Sequence, residues 1–170
     1  MKNLASTTHQ TPVGPFTVIV DDDVVLASGW TADVNRLLPY VHTAVRREFA
    51  DEVRGYDELG QVSKAVLAFH DGDLTAPDAI PVRQAGSELL SAAWKQLRTV
   101  PAGTTVSYRE LATLSGKPMA VRAAASACAR NAAALFVPCH RVIRTDGSLG
   151  GFGYGLDVKR WLLRHEFPEG

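Results

Sequence analysis

The sequence changes character near residue 82, and this change limits the folds that the chain can adopt. Residues 1–82 carry 12 acidic and 6 basic side chains, whereas residues 83–170 carry 6 acidic and 12 basic ones, so a net charge of zero conceals formal charges of −6 and +6. Short β-type runs dominate the first part, and apolar residues at helical spacing dominate the second. We therefore predict an α+β protein with two domains, residues 1–82 and residues 83–170.

The acidic half begins with β-type sequence. Phe16–Val20 and Val24–Ser28 flank an acidic turn, which predicts a β-hairpin. Weaker helical patterns lie near residues 41–49 and 61–69. The turn-rich stretch 71–81 is the predicted linker, because it lies where the charge changes sign. We recognise no catalytic set of residues in this half.

Cysteine use and the absence of long apolar runs exclude several classes of protein. The two cysteines are Cys128 and Cys139, and neither a signal peptide nor a membrane-spanning run is recognisable. This pattern excludes a secreted disulfide scaffold and a membrane protein. We expect reduced thiols, a cytoplasmic location and no cofactor. Structural zinc is not expected, because no Cys-x-x-Cys or paired Cys/His spacing occurs.

The basic half has the layout of a helix-turn-helix. A helix predicted over residues 87–99 is followed by Ser107 and Glu110, which form a capping-box pattern at the start of a short helix. A second helix over 119–130 consists mainly of small residues. From spacing alone, an alanine-rich packing helix is an equally good interpretation. The eight basic residues and one acidic residue within 95–144 favour a DNA-binding role.

Cys139 and His140 are the candidates for chemistry. A thiol reacts as the thiolate, so it needs a base at neutral pH. Adjacent side chains diverge in helices and strands, so His140 can reach the Cys139 sulfur directly only where the backbone bends sharply, and a bridging water would otherwise connect the two groups. Glu166, near the end of a helix predicted over 158–167, could orient the imidazole. Two simpler interpretations stay open, in which the cysteine fills the core and Glu166 is a solvated helix-end acid.

Six segments of the basic half together resemble one family. They are Ser107–Leu111, Lys117–Arg122, Arg130–Asn131, Pro138–Ile143, Gly147–Gly155 and Leu162–Glu166. Their order and spacing resemble those of the O6-alkylguanine-DNA alkyltransferases, also called methylated-DNA–protein-cysteine methyltransferases. The resemblance covers residues 87–167 well and residues 1–82 weakly.

The resemblance implies direct reversal of DNA damage. In the family an alkyl group passes irreversibly from O6 of guanine to a cysteine, and each protein molecule acts once; O4 of thymine is a second candidate substrate. Cys139 matches the acceptor, His140 matches the base that receives the thiol proton through water, and Glu166 matches the residue that orients the histidine. Tyr108 matches a phenol that protonates the departing guanine. Asn131 matches the asparagine that holds the turn before the active-site segment.

The resemblance also implies how DNA is bound. The reacting base must leave the stack, and Arg122 matches the finger that fills the gap, while Arg130 belongs to the same basic surface. The second helix is expected to lie in the minor groove, where small side chains let its backbone come close. These side chains are Ala120, Ala123, Ala124 and Ala127. Backbone groups at Cys139, Val142 and Gly153 are expected to bind the flipped base.

The family further implies an N-terminal ribonuclease H-like α/β domain, followed by a mainly helical domain with a winged helix-turn-helix. We expect a monomer that acts on double-stranded DNA containing O6-alkylguanine, with no membrane partner and no metal. Two alternatives stay open: a non-catalytic helix-turn-helix protein that binds DNA or lesions, and a thiol hydrolase that acts on a small molecule. The presence of Cys139 disfavours the non-catalytic alternative.

Overall fold

The computed structural model describes residues 1–167, and the chain divides into two compact units. Unit 1 holds Met1–Ala85 together with the short segment Ala132–Phe136. Unit 2 holds Gly86–Asn131 and the described residues from Val137 onward. The mixed α+β class is confirmed. Among residues 1–167, none of the helices has the length and apolar character that a membrane-spanning helix requires.

Unit 1 is built around a β-sheet. Its strands are β1 (Leu4–Thr11), β2 (Gly14–Asp21), β3 (Val24–Gly29) and β4 (Val53–Gly55), and their order in the sheet is β3-β2-β1-β4. Strand β1 pairs antiparallel with β2 and parallel with β4, and β2 pairs antiparallel with β3. The helices are α1 (Val34–Leu37), α2 (Thr43–Arg46) and α3 (Gly60–His70), with 3₁₀ turns at Leu38–Tyr40 and Ala76–Ala79.

The predicted hairpin is confirmed as β2 and β3, and Asp22 adopts a φ of 52° in its turn. Strand β1 was not predicted. Its sequence is rich in Thr and Ser rather than in large apolar residues, and Leu4 and Thr7 are its buried side chains. The helix predicted near residues 41–49 is reduced to one turn, α2, which the His42 imidazole caps by accepting from the N–H of Ala44.

An aromatic cluster fills part of the core of unit 1. The rings of Phe16 and Trp30 meet edge to face with centroids 4.9 Å apart. The Trp30 indole N–H donates to Nε2 of His70 at 3.2 Å, so Nδ1 of His70 carries the proton that it donates to the Val66 carbonyl at 2.7 Å. The buried imidazole is therefore neutral and satisfied on both nitrogens.

Unit 2 is mainly helical. Its elements are α4 (Glu88–Leu97), β5 (Val106–Ser107), α5 (Tyr108–Leu114), α6 (Val121–Ala129), the 3₁₀ turn Cys139–Arg141, β6 (Val142–Ile143) and α7 (Leu156–Glu166). Strands β5 and β6 pair in parallel, with Val106 opposite Val142. Pairing at this point joins the start of α5 to the segment that follows the 3₁₀ turn.

Helices α5 and α6 follow one another through a tight turn. The predicted capping box is confirmed, because the Ser107 hydroxyl accepts from the N–H of Glu110 and the Glu110 carboxylate accepts from the N–H of Ser107, each at 3.0 Å. Gly116 ends α5 with a φ of 85°, a conformation that favours glycine. Helix α6 begins at Val121 rather than at residue 119, because residues 117–120 form the turn itself.

Candidate active site

Cys139 opens the 3₁₀ turn Cys139–Arg141, and its backbone is held on both sides. Its N–H donates to the Val137 carbonyl at 2.8 Å, and its own carbonyl accepts from the N–H of Val142. The cysteine is buried, with 8% of its surface exposed. This short turn bends the chain sharply at the thiol, between an apolar run and strand β6.

Burial raises the pKa of the Cys139 thiol above its ordinary value. Three effects oppose burial: the hydrogen bond from the Asn131 side chain, the positive charge of Lys159 and a backbone hydrogen bond of Cys139 itself. Burial outweighs these effects, and the pKa of Cys139 stays above its ordinary value. The side chain is therefore a neutral thiol at neutral pH. A reaction at this sulfur therefore needs a group that takes up its proton.

His140 is fully buried and is oriented by Glu166. Its Nε2 lies 2.8 Å from Oε2 of Glu166, and both side chains are fully buried. Because a carboxylate only accepts, Nε2 carries the hydrogen and Nδ1 is the acceptor. Within residues 1–167, Nδ1 has no hydrogen-bond partner. Burial lowers the pKa of His140, so the imidazole rests neutral with one lone pair available.

Arg141 holds the other side of the same carboxylate. Its Nε donates to Oε1 of Glu166 at 2.9 Å, its Nη2 donates to Oε2 at 2.8 Å, and its Nη1 donates to the Val100 carbonyl at 2.7 Å. Burial by itself would raise the pKa of Glu166, but hydrogen bonds from His140 and Arg141 lower it to about 2. The carboxylate is therefore an anion at every pH at which the protein would act. Sequence reasoning did not assign a role to Arg141, although the residue directly follows the Cys-His pair.

Lys159 is a second buried charge that sequence reasoning missed. Its ammonium donates to the carbonyls of Val142, at 2.8 Å, and of Leu149, and it faces the Gly151 carbonyl at 3.4 Å. Burial lowers the pKa of Lys159, while the nearby thiols raise it. The sequence signal was a lysine on the apolar face of α7. The buried residues of this helix are Lys159, Leu162 and Glu166.

Tyr108 opens α5, and its hydroxyl lies against the glycine loop, residues Gly147–Gly155. A Cβ at Gly150 would lie 2.9 Å from the Tyr108 hydroxyl oxygen, and Gly150 has a φ of 72°. Both facts require glycine at this position. Burial raises the pKa of Tyr108, so the phenol keeps its proton at neutral pH.

Asn131 is placed between the end of α6 and Cys139. Its Nδ2 donates to the Val137 carbonyl at 2.8 Å, and its side chain also hydrogen-bonds to the Cys139 thiol. The Val142 carbonyl, a predicted ligand of the base, already accepts from Lys159. Of the other two predicted ligands, Gly153 is exposed in the glycine loop, and the backbone N–H of Cys139 already donates to the Val137 carbonyl.

Helix α6 exposes some of its predicted DNA-binding residues and buries others. Arg122 and Arg130 are exposed, and Ala120 and Ala123 are partly exposed. The prediction is wrong for two residues. They are Ala124 and Ala127, which are buried inside unit 2. Their face of the helix packs within the protein, and the Ala127 carbonyl accepts from the Trp94 indole N–H at 2.9 Å.

Cys128 also lies on α6, and both cysteines are free thiols. Cys128 is partly exposed, and the apolar surroundings of its sulfur raise its pKa. Among residues 1–167, no group of three or more His, Cys, Asp or Glu side chains is arranged to hold a metal ion.

Comparison with known proteins shows which family the chain belongs to. Residues 88–167 match the family "6-O-methylguanine DNA methyltransferase, DNA binding domain". The chain is 34% identical over 157 residues to a methylated-DNA–protein-cysteine methyltransferase of Shigella flexneri, covering 92% of this chain and 91% of the relative. It is 47% identical over 87 residues to the enzyme of that name from Mus musculus, covering 51% and 41%.

Solved structures agree with these sequence matches. The crystal structure of Mycobacterium tuberculosis OGT in complex with DNA superposes with a TM-score of 0.81 at 29% identity, covering 96% of this chain and 92% of the other. The O6-methylguanine methyltransferase of the same organism gives a TM-score of 0.79 at 28% identity, covering 98% and 94%. The fold and the site thus define a DNA-binding protein that has a buried cysteine thiol in its candidate active site. The chain belongs to the methylated-DNA–protein-cysteine methyltransferase family.

Proposed function

We propose that the protein repairs alkylated DNA by direct reversal, with Cys139 as the acceptor. The alkyl carbon forms a bond to the Cys139 sulfur while its bond to O6 of guanine breaks. O4 of thymine is a second candidate substrate. The observation that carries the proposal is the fully buried imidazole of His140, which donates through Nε2 to Glu166 and keeps Nδ1 as an acceptor without a protein partner within residues 1–167. A thioether does not readily return its alkyl group, so each molecule would act once.

The thiol proton has a defined destination in this arrangement. A water molecule between the Cys139 sulfur and Nδ1 of His140 would carry the proton to the imidazole as the sulfur attacks. The imidazolium that results would be stabilised by Glu166, whose pKa of about 2 keeps it anionic. Lys159 would stabilise the negative charge that develops on the sulfur.

The departing guanine needs a proton of its own. Tyr108 would donate its phenolic proton to ring N3 of guanine, since its raised pKa keeps the phenol protonated until the base is bound. The phenolate would then recover a proton that originates from the thiol through the imidazolium and solvent. The overall change is thiol plus alkylguanine to thioether plus guanine, so atoms and charge balance.

The DNA partner would be a duplex from which the damaged base is flipped. Arg122 would fill the gap in the stack, and Arg130 would add positive charge to the same exposed side of α6. Ala120 and Ala123 are the small side chains that would let the helix approach the minor groove. Gly153 would bind the flipped base through its backbone. The Val142 carbonyl accepts one hydrogen bond from Lys159. Its second lone pair would be able to accept a hydrogen bond from the flipped base.

The finer description of the fold is also a proposal. The sheet order β3-β2-β1-β4, with β4 parallel to β1, supports a ribonuclease H-like arrangement in unit 1. Helices α5 and α6, with the short pair β5 and β6, support a winged helix-turn-helix in unit 2. We assign residues 1–82 to the first domain and residues 83–170 to the DNA-binding and acceptor domain, although residues 83–85 and Ala132–Phe136 pack in unit 1. The acting species would be a monomer.

The proposal is tested by comparing Cys139→Ser with Cys128→Ser on a duplex that contains one O6-methylguanine. The Cys128 variant should restore guanine as the unaltered protein does. The Cys139 variant should restore none and still bind the duplex, as measured by fluorescence anisotropy. Repair by the Cys139 variant would identify another acceptor. Binding without repair in the unaltered protein would favour the non-catalytic alternative, and repeated turnover on small thioesters would favour the hydrolase.

The role of Arg122 is separable from the chemistry. Arg122→Ala should slow methyl transfer from duplex DNA by roughly tenfold or more, because the unstacked base is no longer replaced. Transfer from the free base O6-methylguanine should stay unchanged, because no stack is opened. Lys64→Ala, an exposed lysine of α3, serves as the matched control for loss of one positive charge. Equal losses on duplex and free base would contradict the finger role.

A further inference from the structure

Met119 is the most exposed large apolar side chain among the described residues of unit 2, and the proposed chemistry leaves it unused. It lies in the turn between α5 and α6, and 95% of its surface is exposed. We propose that Met119 is an apolar DNA contact, whose side chain packs against sugar and base carbons of the duplex beside the position of Arg122. This inference rests on the proposed function, because it assumes that the exposed side of α6 binds DNA.

The turn that carries Met119 is held at both ends. The N–H of Lys117 donates to the Ala112 carbonyl at 3.0 Å, and the N–H of Gly116 donates to the Thr113 carbonyl at 3.0 Å, which closes α5 in a Schellman motif. The N–H of Ala120 donates to the Lys117 carbonyl at 2.9 Å and leads directly into α6. Met119 is therefore presented at a fixed position rather than on a long loop.

The usual use of an apolar residue at this position is missing. Met119 directly precedes the N-cap of α6, Ala120, where an apolar side chain commonly packs on the fourth residue of the helix as a hydrophobic staple. That residue is Ala124, which is buried within the unit, whereas Met119 extends into solvent. Its side chain thus contributes nothing to the packing of α6, and its apolar surface is available to a partner.

The neighbours of Met119 indicate which partner covers it. Lys117 precedes it and Arg122 follows it, and both are exposed. Cations that bind phosphates fix the position of a protein on a duplex, and an apolar side chain between them meets the carbons of the sugars and bases. Methionine is among the apolar side chains that proteins place against or between bases in DNA. Its unbranched, polarisable side chain adapts to such surfaces.

An apolar contact has a signature that a charge does not have. Log affinity falls as log salt concentration rises. Loss of a phosphate-binding cation makes this negative slope shallower by about one, because fewer counterions are released. Loss of an apolar contact lowers affinity at every salt concentration and leaves that slope unchanged. The two kinds of contact can therefore be told apart at neighbouring positions of the same turn.

The experiment measures duplex affinity by fluorescence anisotropy over a range of salt concentrations. Met119→Ala should bind an undamaged duplex about tenfold more weakly with the salt slope of the unaltered protein, a change that corresponds to about 1.4 kcal/mol. Met119→Leu should retain most of the affinity, since it keeps an apolar side chain of similar volume. Lys117→Ala should reduce the slope. Leu67→Ala, which removes a 46% exposed side chain from α3 of unit 1, is the matched control and should leave binding unchanged.

Three outcomes would overturn the inference. Met119→Ala could bind the duplex as the unaltered protein does, or it could reduce the salt slope, which would show an effect on neighbouring charges. Sedimentation without DNA could instead reveal a dimer that Met119→Ala abolishes, which would make a second copy of the chain the partner. Failure of the proposed function is distinguishable, because then even the unaltered protein would not transfer methyl groups to Cys139. Circular dichroism and thermal unfolding of each variant show that the fold is kept.

Discussion

The two units differ in where their ion pairs lie, because unit 2 has a surface pair, Arg160–Asp157, and also buries a charged cluster. In unit 1 the ion pairs Lys2–Asp22 and Arg83–Glu48 lie at the surface. In unit 2 the carboxylate of Glu166 is buried between His140 and Arg141. Surface pairs contribute little to stability, whereas burial of ions costs several kcal/mol for each ion unless partners satisfy them. Unit 2 thus buries charge against His140 and Arg141, the two residues that follow Cys139, the proposed acceptor.

Removing one carboxylate from each unit should have the largest and most unequal effects. Glu166→Ala should lower the free energy of unfolding by about 3–5 kcal/mol, because His140 and Arg141 lose their buried partner. It should also slow methyl transfer by about 100-fold through loss of the oriented base. Urea denaturation and single-turnover kinetics measure the two effects.

Glu48→Ala is the matched control, because Glu48 pairs with Arg83 at the surface. We expect no measurable change in stability or in transfer for this variant. Equal destabilisation by both substitutions would contradict the contrast between the units. Full activity of a folded Glu166→Ala protein would remove Glu166 from the proton path.

The buried carboxylate of Glu166 should also make the free energy of unfolding depend on pH. The pKa of Glu166 is about 2 in the folded protein against an ordinary value of 4.5, so the unfolded chain takes up the proton first as pH falls. Its stabilisation, about 3 kcal/mol, is complete above pH 4.5 and is lost as pH falls towards 2. The lowered pKa of His140 acts in the same direction, because the unfolded imidazole binds a proton below pH 6.5 first.

Urea denaturation at decreasing pH measures this loss. In Glu166→Gln, the part of the loss that falls between pH 4.5 and 2 should shrink, because the residue no longer titrates. Substitution of an exposed carboxylate in unit 1, Glu48→Gln, should leave the profile close to that of the unaltered protein. A Glu166→Gln profile that coincides with the unaltered one would show that the buried carboxylate does not control acid stability.

Lys159 offers a smaller and more specific test. Lys159→Met keeps a long apolar side chain and removes the charge that lowers the pKa of Cys139. Each unit by which the thiol pKa rises reduces the thiolate fraction tenfold, so transfer at neutral pH should slow by about tenfold. The loss should diminish at higher pH, where the thiol ionises more readily. A pH-independent loss would show that Lys159 acts only by holding the glycine loop.

Lys64→Met, on the exposed side of α3, is the control for that substitution. It should leave both the rate and its pH profile unchanged. A loss equal to that of Lys159→Met would mean that net charge, rather than the buried ammonium, sets the rate.

Local patterns made part of the fold predictable. Ser107 and Glu110 form a reciprocal cap whose partners are three residues apart, so the start of α5 could be placed from sequence. The β2–β3 hairpin was likewise marked by its acidic turn. Strand β1 was missed because its stability depends on pairing with β2 rather than on apolar residues of its own.

The site was predictable only where the family's motifs name its residues. Cys139, His140 and Glu166 were named, but the carboxylate is also held by Arg141, a contact between residues 25 positions apart that no local pattern reveals. The outward face of α6 was assigned partly wrongly, because Ala124 resembles its exposed neighbours in size. Packing within unit 2 decides which small residues face solvent.

The central claim is that the Cys139 sulfur is a single-use acceptor of alkyl groups. It is tested most directly by incubating the protein with excess duplex that carries an isotopically labelled methyl group on O6 of guanine, followed by peptide mass spectrometry. The account predicts that the label reaches a plateau at one methyl group per protein molecule, all on the peptide that contains Cys139. Label on another residue, or removal of more methyl groups than there are protein molecules, would contradict it.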